Sequence, residues 1–211
     1  MKMKFAFLIL IAISSFCFSQ DKKVVVSATK LNVLYRGIEN PVELGAEGIS
    51  SDKLIVTITN GTITKKTGTD YVIVPGAGDS VVVILSENKK VIGEKVFRVK
   101  NVPEPVIGLC DKTNGSIVSR TFLSTCNDIY AKKPPGFELE SNYTILSFSV
   151  SVIDSPGVVK IEKTKGNHIS ASQASLIAKQ ESGEQIVFTD ILVEYSDGRR
   201  AIAQPLILTL D

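Results

Sequence analysis

Cys110, Cys126 and His168 are the side chains in this chain best suited to bond chemistry, and scattered acidic pairs come next. A redox or metal pair of cysteines would want C-x-x-C spacing and a nearby histidine, and neither is present. In an oxidising compartment an isolated pair most simply forms one disulfide. Closing a loop of this size stabilises a fold by about 3 kcal/mol in the chain-entropy model. His168 is the only histidine and sits in Gly166-Asn167-His168-Ile169. No nucleophile elbow or H-x-x-x-H spacing gives it a partner, so it reads as a surface loop residue. Glu138/Glu140 and Asp52/Asp70 could be imagined as glycosidase carboxylates. With 22 acidic residues in the chain such pairs arise freely, and solvated surface is the better reading. Pro75-Gly76-Ala77-Gly78 lacks the lysine and the following helix of a phosphate loop. The expectation is no enzyme: no catalytic residue, no cofactor and no metal site.

Contact chemistry offers more. Open sandwiches leave edge strands with unpaired amides and carbonyls that can accept a partner's strand. Tyr35 and Arg36 at one turn, and Arg199 and Arg200 at another, are residue types enriched in interfaces. They form the candidate interaction surface. The competing reading has them capping the domain's own core or facing water.

The elements that position these groups are extended. In Leu31 to Pro41, LNVLYRGIENP, residues Leu31, Val33 and Tyr35 alternate with Asn32 and Leu34, the period of a half-buried strand. Gly37 breaks that strand, and Asn40-Pro41 forces extended geometry at the start of the next. Further strands are read at Val24–Ala28, Lys53–Thr59, Tyr71–Val74, Ser80–Leu85 and Val91–Lys100. Asn60-Gly61 signals a hairpin with Thr62–Lys65 as its return arm. Ser80–Leu85 is continuously apolar, as in a strand buried on both faces. Seven or eight short strands with closely spaced turns describe an immunoglobulin-like sandwich.

Pro103-Glu104-Pro105 then stops any strand and marks a short, stiff linker. Beyond it the pattern mixes strands with two short helices. Val118–Thr125 is the first. The second opens on a capping box at Ser170 and Gln173, turns Ala174, Ile177 and Ala178 to one face, and ends at Gly183. Thr144–Ile153 alternates with Leu146, Phe148, Val150 and Val152 on one side, and Val158–Ile161 is its neighbour. The last strands are Ile186–Tyr195 and Ala201–Leu210, joined by a turn at Ser196-Asp197-Gly198-Arg199. The fold class expected is mainly β, with two tandem domains.

Charge and targeting narrow the setting. Lys2 and Lys4 precede an apolar run, Phe5–Ile13, with small residues after it, which reads as a secretory signal over residues 1–19. Cleavage falls before Gln20 or before Asp21. A lipidation site at Cys17 ranks second, against bulky Phe16, and a membrane anchor third, because the run is short. Removing Lys2 and Lys4 from the 24 basic residues leaves 22, equal to the 22 acidic ones. No basic stripe appears, so nucleic acid is not expected as a partner.

The run Asn32, Val33, Leu34, Tyr35, Gly37, Asn40 and Pro41 resembles the opening of the C-terminal periplasmic region of the GldM (PorM) family of the type IX secretion and gliding machinery. The likeness continues through Phe97-Arg98-Val99-Lys100, Val102-Pro103-Glu104-Pro105-Val106, Gly115-Ser116-Ile117, Ser147-Phe148-Ser149-Val150, Gln173–Ile177 and Asp197-Gly198-Arg199. It spans residues 24–209, and the cysteine pair is not part of the family's pattern. The resemblance implies a sandwich domain over 20–102 like the GldM third domain, a linker at 103–105, and a β-rich domain over 106–211 like the GldM C-terminal domain. It also implies a periplasmic, outer-membrane-associated binding or scaffold protein with protein partners in the cell envelope and a paired, homodimeric form. The family's membrane helix is not found here, so no transmembrane anchor is expected in the mature chain. The alternative is a secreted sandwich module that binds glycan or another small ligand. Aromatics at 7% with no Trp weaken stacking on sugars.

Overall fold

Alternating apolar residues in the first half build two facing sheets. The structure, a computed structural model, describes residues 32–154 and 157–211. The expected signal segment and the strand at Val24–Ala28 lie outside the described residues. Seven strands follow in order: β1 (Val33–Tyr35), β2 (Asn40–Glu43), β3 (Ile55–Ile58), β4 (Thr62–Lys65), β5 (Asp70–Val74), β6 (Ser80–Glu87) and β7 (Lys90–Lys100). One sheet runs β1-β7-β6-β3 and the other β2-β5-β4. Among the described residues of this half only β1 and β7 pair in parallel, and the remaining pairs are antiparallel. This is the strand order of an immunoglobulin-like sandwich. Leu34, Tyr71, Ile73, Val81, Val83 and Val99 are buried between the sheets.

Asn60-Gly61 is not a hairpin turn. β3 pairs with β6, and β4 pairs with β5, so this dipeptide carries the chain from one sheet to the other. Gly61 has φ +94°, and a Cβ there would lie 2.1 Å from the Val74 carbonyl oxygen. The glycine is required by a close crossing over the end of β5. β6 also departs from expectation. Val81 and Val83 are buried, while Val82 and Ile84 are half-exposed, because no third layer covers that face among the described residues. At its end, Asn88 and Lys89 take φ of 50° and 66°, the left-handed pair of a tight hairpin into β7.

Asn40 fixes the corner between β1 and β2. It is buried, and its Nδ2 shares two N–H donors among three carbonyls, those of Tyr35 (2.8 Å), Ile38 (2.8 Å) and Ile73 (3.2 Å). Its Oδ1 accepts from the Tyr35 amide at 2.7 Å. One side chain thus ties the end of β1, the Ile38 turn and β5 together.

The second half contains β8 (Val106–Leu109), β9 (Lys112–Thr113), β10 (Ser116–Val118), α1 (Arg120–Thr125), β11 (Ile129–Lys132), β12 (Tyr143–Asp154), β13 (Val158–Lys165), α2 (Ala171–Ile177), β14 (Gln185–Tyr195), β15 (Arg200–Ile202) and β16 (Leu206–Leu210). The large sheet runs β10-β16-β14-β12-β13, with β15 beside β14, and a small one runs β11-β8-β9. The two helices and the small sheet contribute Leu123, Ile177, Leu109 and Ile129 to a core with Phe148, Phe188 and Leu208 of the large sheet.

Several boundaries shift for identifiable reasons. Ser119 caps α1 by accepting from the Phe122 amide, so the helix starts after Val118, which stays in β10. α2 has the full capping box at Ser170 and Gln173, but ends at Ile177 rather than running to Gly183. The last strand divides at Gln204-Pro205, since proline cannot donate to a ladder. In β12 a register shift between Ile145 and Ser147 changes the phase, so Ile145 is buried and Leu146 only half-buried. Cys110 and Cys126 form a disulfide with Cα atoms 5.9 Å apart, tying the β8–β9 turn to the C-cap of α1.

Replacing Asn40 with Ala removes the acceptor of the Tyr35 amide and two N–H donors from a buried corner. We expect a loss of about 3 kcal/mol, since each buried orphan costs about 1–3 kcal/mol, read as a lowered urea midpoint with an unchanged slope.

Candidate functional site

Tyr35, Arg36 and Arg199 come together where the two cores meet, and residues 32–211 form one unit. The turn Tyr195–Arg199 between β14 and β15 is closed by backbone bonds from the Gly198 amide to Tyr195 O (2.9 Å) and from the Tyr195 amide to Arg199 O (2.8 Å). It seats Asp197 directly against Gly37. A Cβ on Gly37 would stand 2.6 Å from both Cα and Cβ of Asp197. Gly37 also has φ +68°, so glycine is needed there twice over.

Polar and aromatic contacts extend the seam. Arg199 Nη2 donates to the Val102 carbonyl at 3.2 Å, and its guanidinium stacks 3.9 Å above the Tyr195 ring. Tyr143 donates its hydroxyl to Pro103 O at 3.0 Å and meets Tyr195 edge-on at 5.4 Å. Tyr35 meets Phe137 edge-on at 4.8 Å. Arg36 donates from Nε to Asn101 Oδ1 (3.1 Å) and from Nη1 to Gly76 O (3.4 Å), and pairs with Asp79 at 3.5 Å. Arg200 points away from the seam and donates from Nε to Glu194 Oε1 at 2.8 Å. Pro103 and Pro105 are thus packed into a joint.

The joint carries buried polarity at its centre. Asp197 Oδ2 and Arg199 Nε form a buried ion pair at 3.8 Å, too long for a hydrogen bond, and neither atom has another hydrogen-bond partner. The Tyr195 hydroxyl is also buried without a partner. Burial raises the pKa of Tyr195, and the Arg199 charge offsets part of that rise.

The other sequence candidates stand apart from one another. His168 Nδ1 lies 2.9 Å from Asp128 Oδ1, both exposed, on a bridge between the 127–129 and 167–169 segments. Glu140 pairs with Lys133 at 3.0 Å. Among the described residues no group of three His, Cys, Asp or Glu could hold a metal ion.

Two apolar surfaces were not singled out from the sequence. On the outer face of the large sheet Ile153 stands opposite Val159, and Ile161 opposite Ser151; the three apolar residues are 61%, 58% and 60% exposed. Val187 and Ile207 continue the row across β14 and β16. On the first half, Val96 stands opposite Val82 on the outer face of β6–β7, with Ile55 exposed on β3. Alternation alone cannot find such surfaces, because a strand apolar on both sides reads as doubly buried.

A family model described as the GldM third domain matches residues 23–100, and one described as the GldM C-terminal domain matches residues 98–208. No curated protein matches the chain. Among solved structures the chain is similar to the adhesin InvE of Yersinia pseudotuberculosis, at 11% identity and a TM-score of 0.28. That likeness covers 84% of this chain, which spans 56% of the adhesin chain.

Gly37→Ala is expected to open the joint. Its left-handed backbone alone costs about 1–2 kcal/mol, so Gly48→Ala, at φ +76° with nothing within 4 Å of its Cβ, is the control. Only Gly37→Ala should increase the small-angle scattering radius and expose the 101–105 segment to protease. Separately, Tyr195 keeps its proton in the folded chain to higher pH than in the unfolded one. Its contribution is complete below the ordinary tyrosine pKa of about 10 and is lost as pH rises past it. Tyr195→Phe should flatten that alkaline loss in urea unfolding and cost little at neutral pH, because it removes an unpartnered hydroxyl.

Proposed function

The chain belongs to the GldM family, and from that membership we propose a non-enzymatic binding or scaffold protein of the cell envelope, working with type IX secretion or gliding components in the periplasm. The observation that carries the binding role is the apolar outer face of the large sheet. Exposed apolar residues placed singly need no explanation, whereas a contiguous row on one sheet face marks an association surface. Ile153, Val159 and Ile161 make such a row at the β13 edge. Lys160 and Glu162 alternate with this row on the other face of the strand, Lys163 and Lys165 end it on the same face, and the charges discourage indiscriminate edge pairing.

The Pro103–Pro105 step is proposed as the division between a sandwich domain and a C-terminal domain. It is supported by the two separate cores on either side of it and by the meeting of the two family matches near residue 100. The joint described above then serves to hold the two binding faces in one relative orientation.

Tagged protein incubated with envelope extract should retain type IX secretion or gliding components. The double change Val159→Lys, Ile161→Asp should abolish that retention while leaving stability within about 0.5 kcal/mol, as surface changes do. Retention of no such component, together with normal secretion and gliding in a deletion strain, would overturn the reading.

A further inference from the structure

We propose that the cleft between α1 and α2 is a binding site for a small apolar monocarboxylate, a medium-chain aliphatic acid. This goes beyond the docking role above and uses the opposite, helix-covered side of the large sheet.

A cavity of about 460 Å³ opens between the two helices. That volume is in the lower part of the range for small-molecule sites. Leu123, Ile169, Ile177 and Leu210 line its apolar interior. The shelf is Ala174 and Ala178, both exposed although they share the apolar side of α2 with Ile177. Residues this small, on the face where a packed helix would carry Leu or Ile, leave the cleft unfilled. Each wall is also fixed at its ends. Ser119 caps the start of α1 and Cys126 ties its end through the disulfide. Ser170 and Gln173 fix the start of α2, and the buried Gln173 further donates to the Glu162 carbonyl at 2.9 Å.

The charge at the mouth selects the ligand. Arg120 lines the cleft and donates from Nη1 to Ala178 O at 3.0 Å and from Nη2 to Gln180 O. Both acceptors are neutral carbonyls, and Arg120 makes no ion pair among the described residues. A guanidinium has five N–H donors, so those left over are held in a fixed plane beside an apolar cavity. A carboxylate accepts such donors well, and a pre-positioned side chain loses little entropy on binding. An alkyl tail would fill the space above the two alanines.

The test is titration of the folded 20–211 chain with decanoate and with decanol, followed by calorimetry and by methyl shifts of Ala174 and Ala178. Decanoate should bind at least about tenfold more tightly than decanol. Arg120→Met should remove that preference and leave decanol unaffected. Ala178→Leu, at the exposed C-cap of α2 where the backbone stays in the right-handed helical region, should fill the cleft and abolish binding of both without changing the circular dichroism. Equal binding of the two probes, shifts located elsewhere, or no binding at millimolar ligand would overturn the proposal. So would a change of oligomeric mass in Ala178→Leu, which would assign the cleft to a second copy of the chain.

Discussion

One absent side chain governs how the two halves meet. Asp197 can rest against the backbone at Gly37 only because nothing projects from that position. Once it is seated, Arg199 reaches the Val102 carbonyl and covers the Tyr195 ring, and Tyr143 reaches Pro103. The contacts depend on one another, since a shift of one or two ångströms at Gly37 would lengthen all of them beyond hydrogen-bond reach. At the centre of this junction the Asp197 carboxylate and the Arg199 guanidinium face each other at 3.8 Å.

Much of the architecture was legible from residue pattern. Alternation located β1, β3 and β12, apolar runs between turn signals located β4 to β7 and β14, and the capping box located the start of α2. What misled was context that a local window cannot contain. Asn60-Gly61 has the letters of a hairpin, yet the partners of Val56 and Ile63 lie in different sheets. Ala174 and Ala178 follow a core-facing period but face a cleft, because helix period specifies a side and not what covers it. β8 to β11 were missed because short strands broken by glycine and cysteine carry too few alternations to count. Tyr35, Arg36 and Arg199 were picked by residue type alone, and what brings them to one seam is a contact 160 positions apart in sequence, between Gly37 and Asp197.

The large sheet has two unlike sides. Phe148, Val150 and Val152 of β12 face the helices, while the alternate row passes from buried Ser149 through Ser151 to exposed Ile153. The exposed apolar surface of that other side is concentrated where Ile153 meets Val159 and Ile161 of β13. Membership of the GldM family gives such a surface a setting among envelope assemblies.

The parallel pairing of β1 with β7 has a mechanical consequence. Val33, Leu34 and Tyr35 lie beside Arg98, Val99 and Lys100, so the two strands enter from the same end of the sheet. Tension applied at residue 32 and at residue 101 pulls these neighbours lengthwise past each other. All the bonds of the row then share the load at once and must fail together, whereas an antiparallel hairpin pulled by its open ends unzips bond by bond. The first half is therefore shaped to resist stretching along the chain.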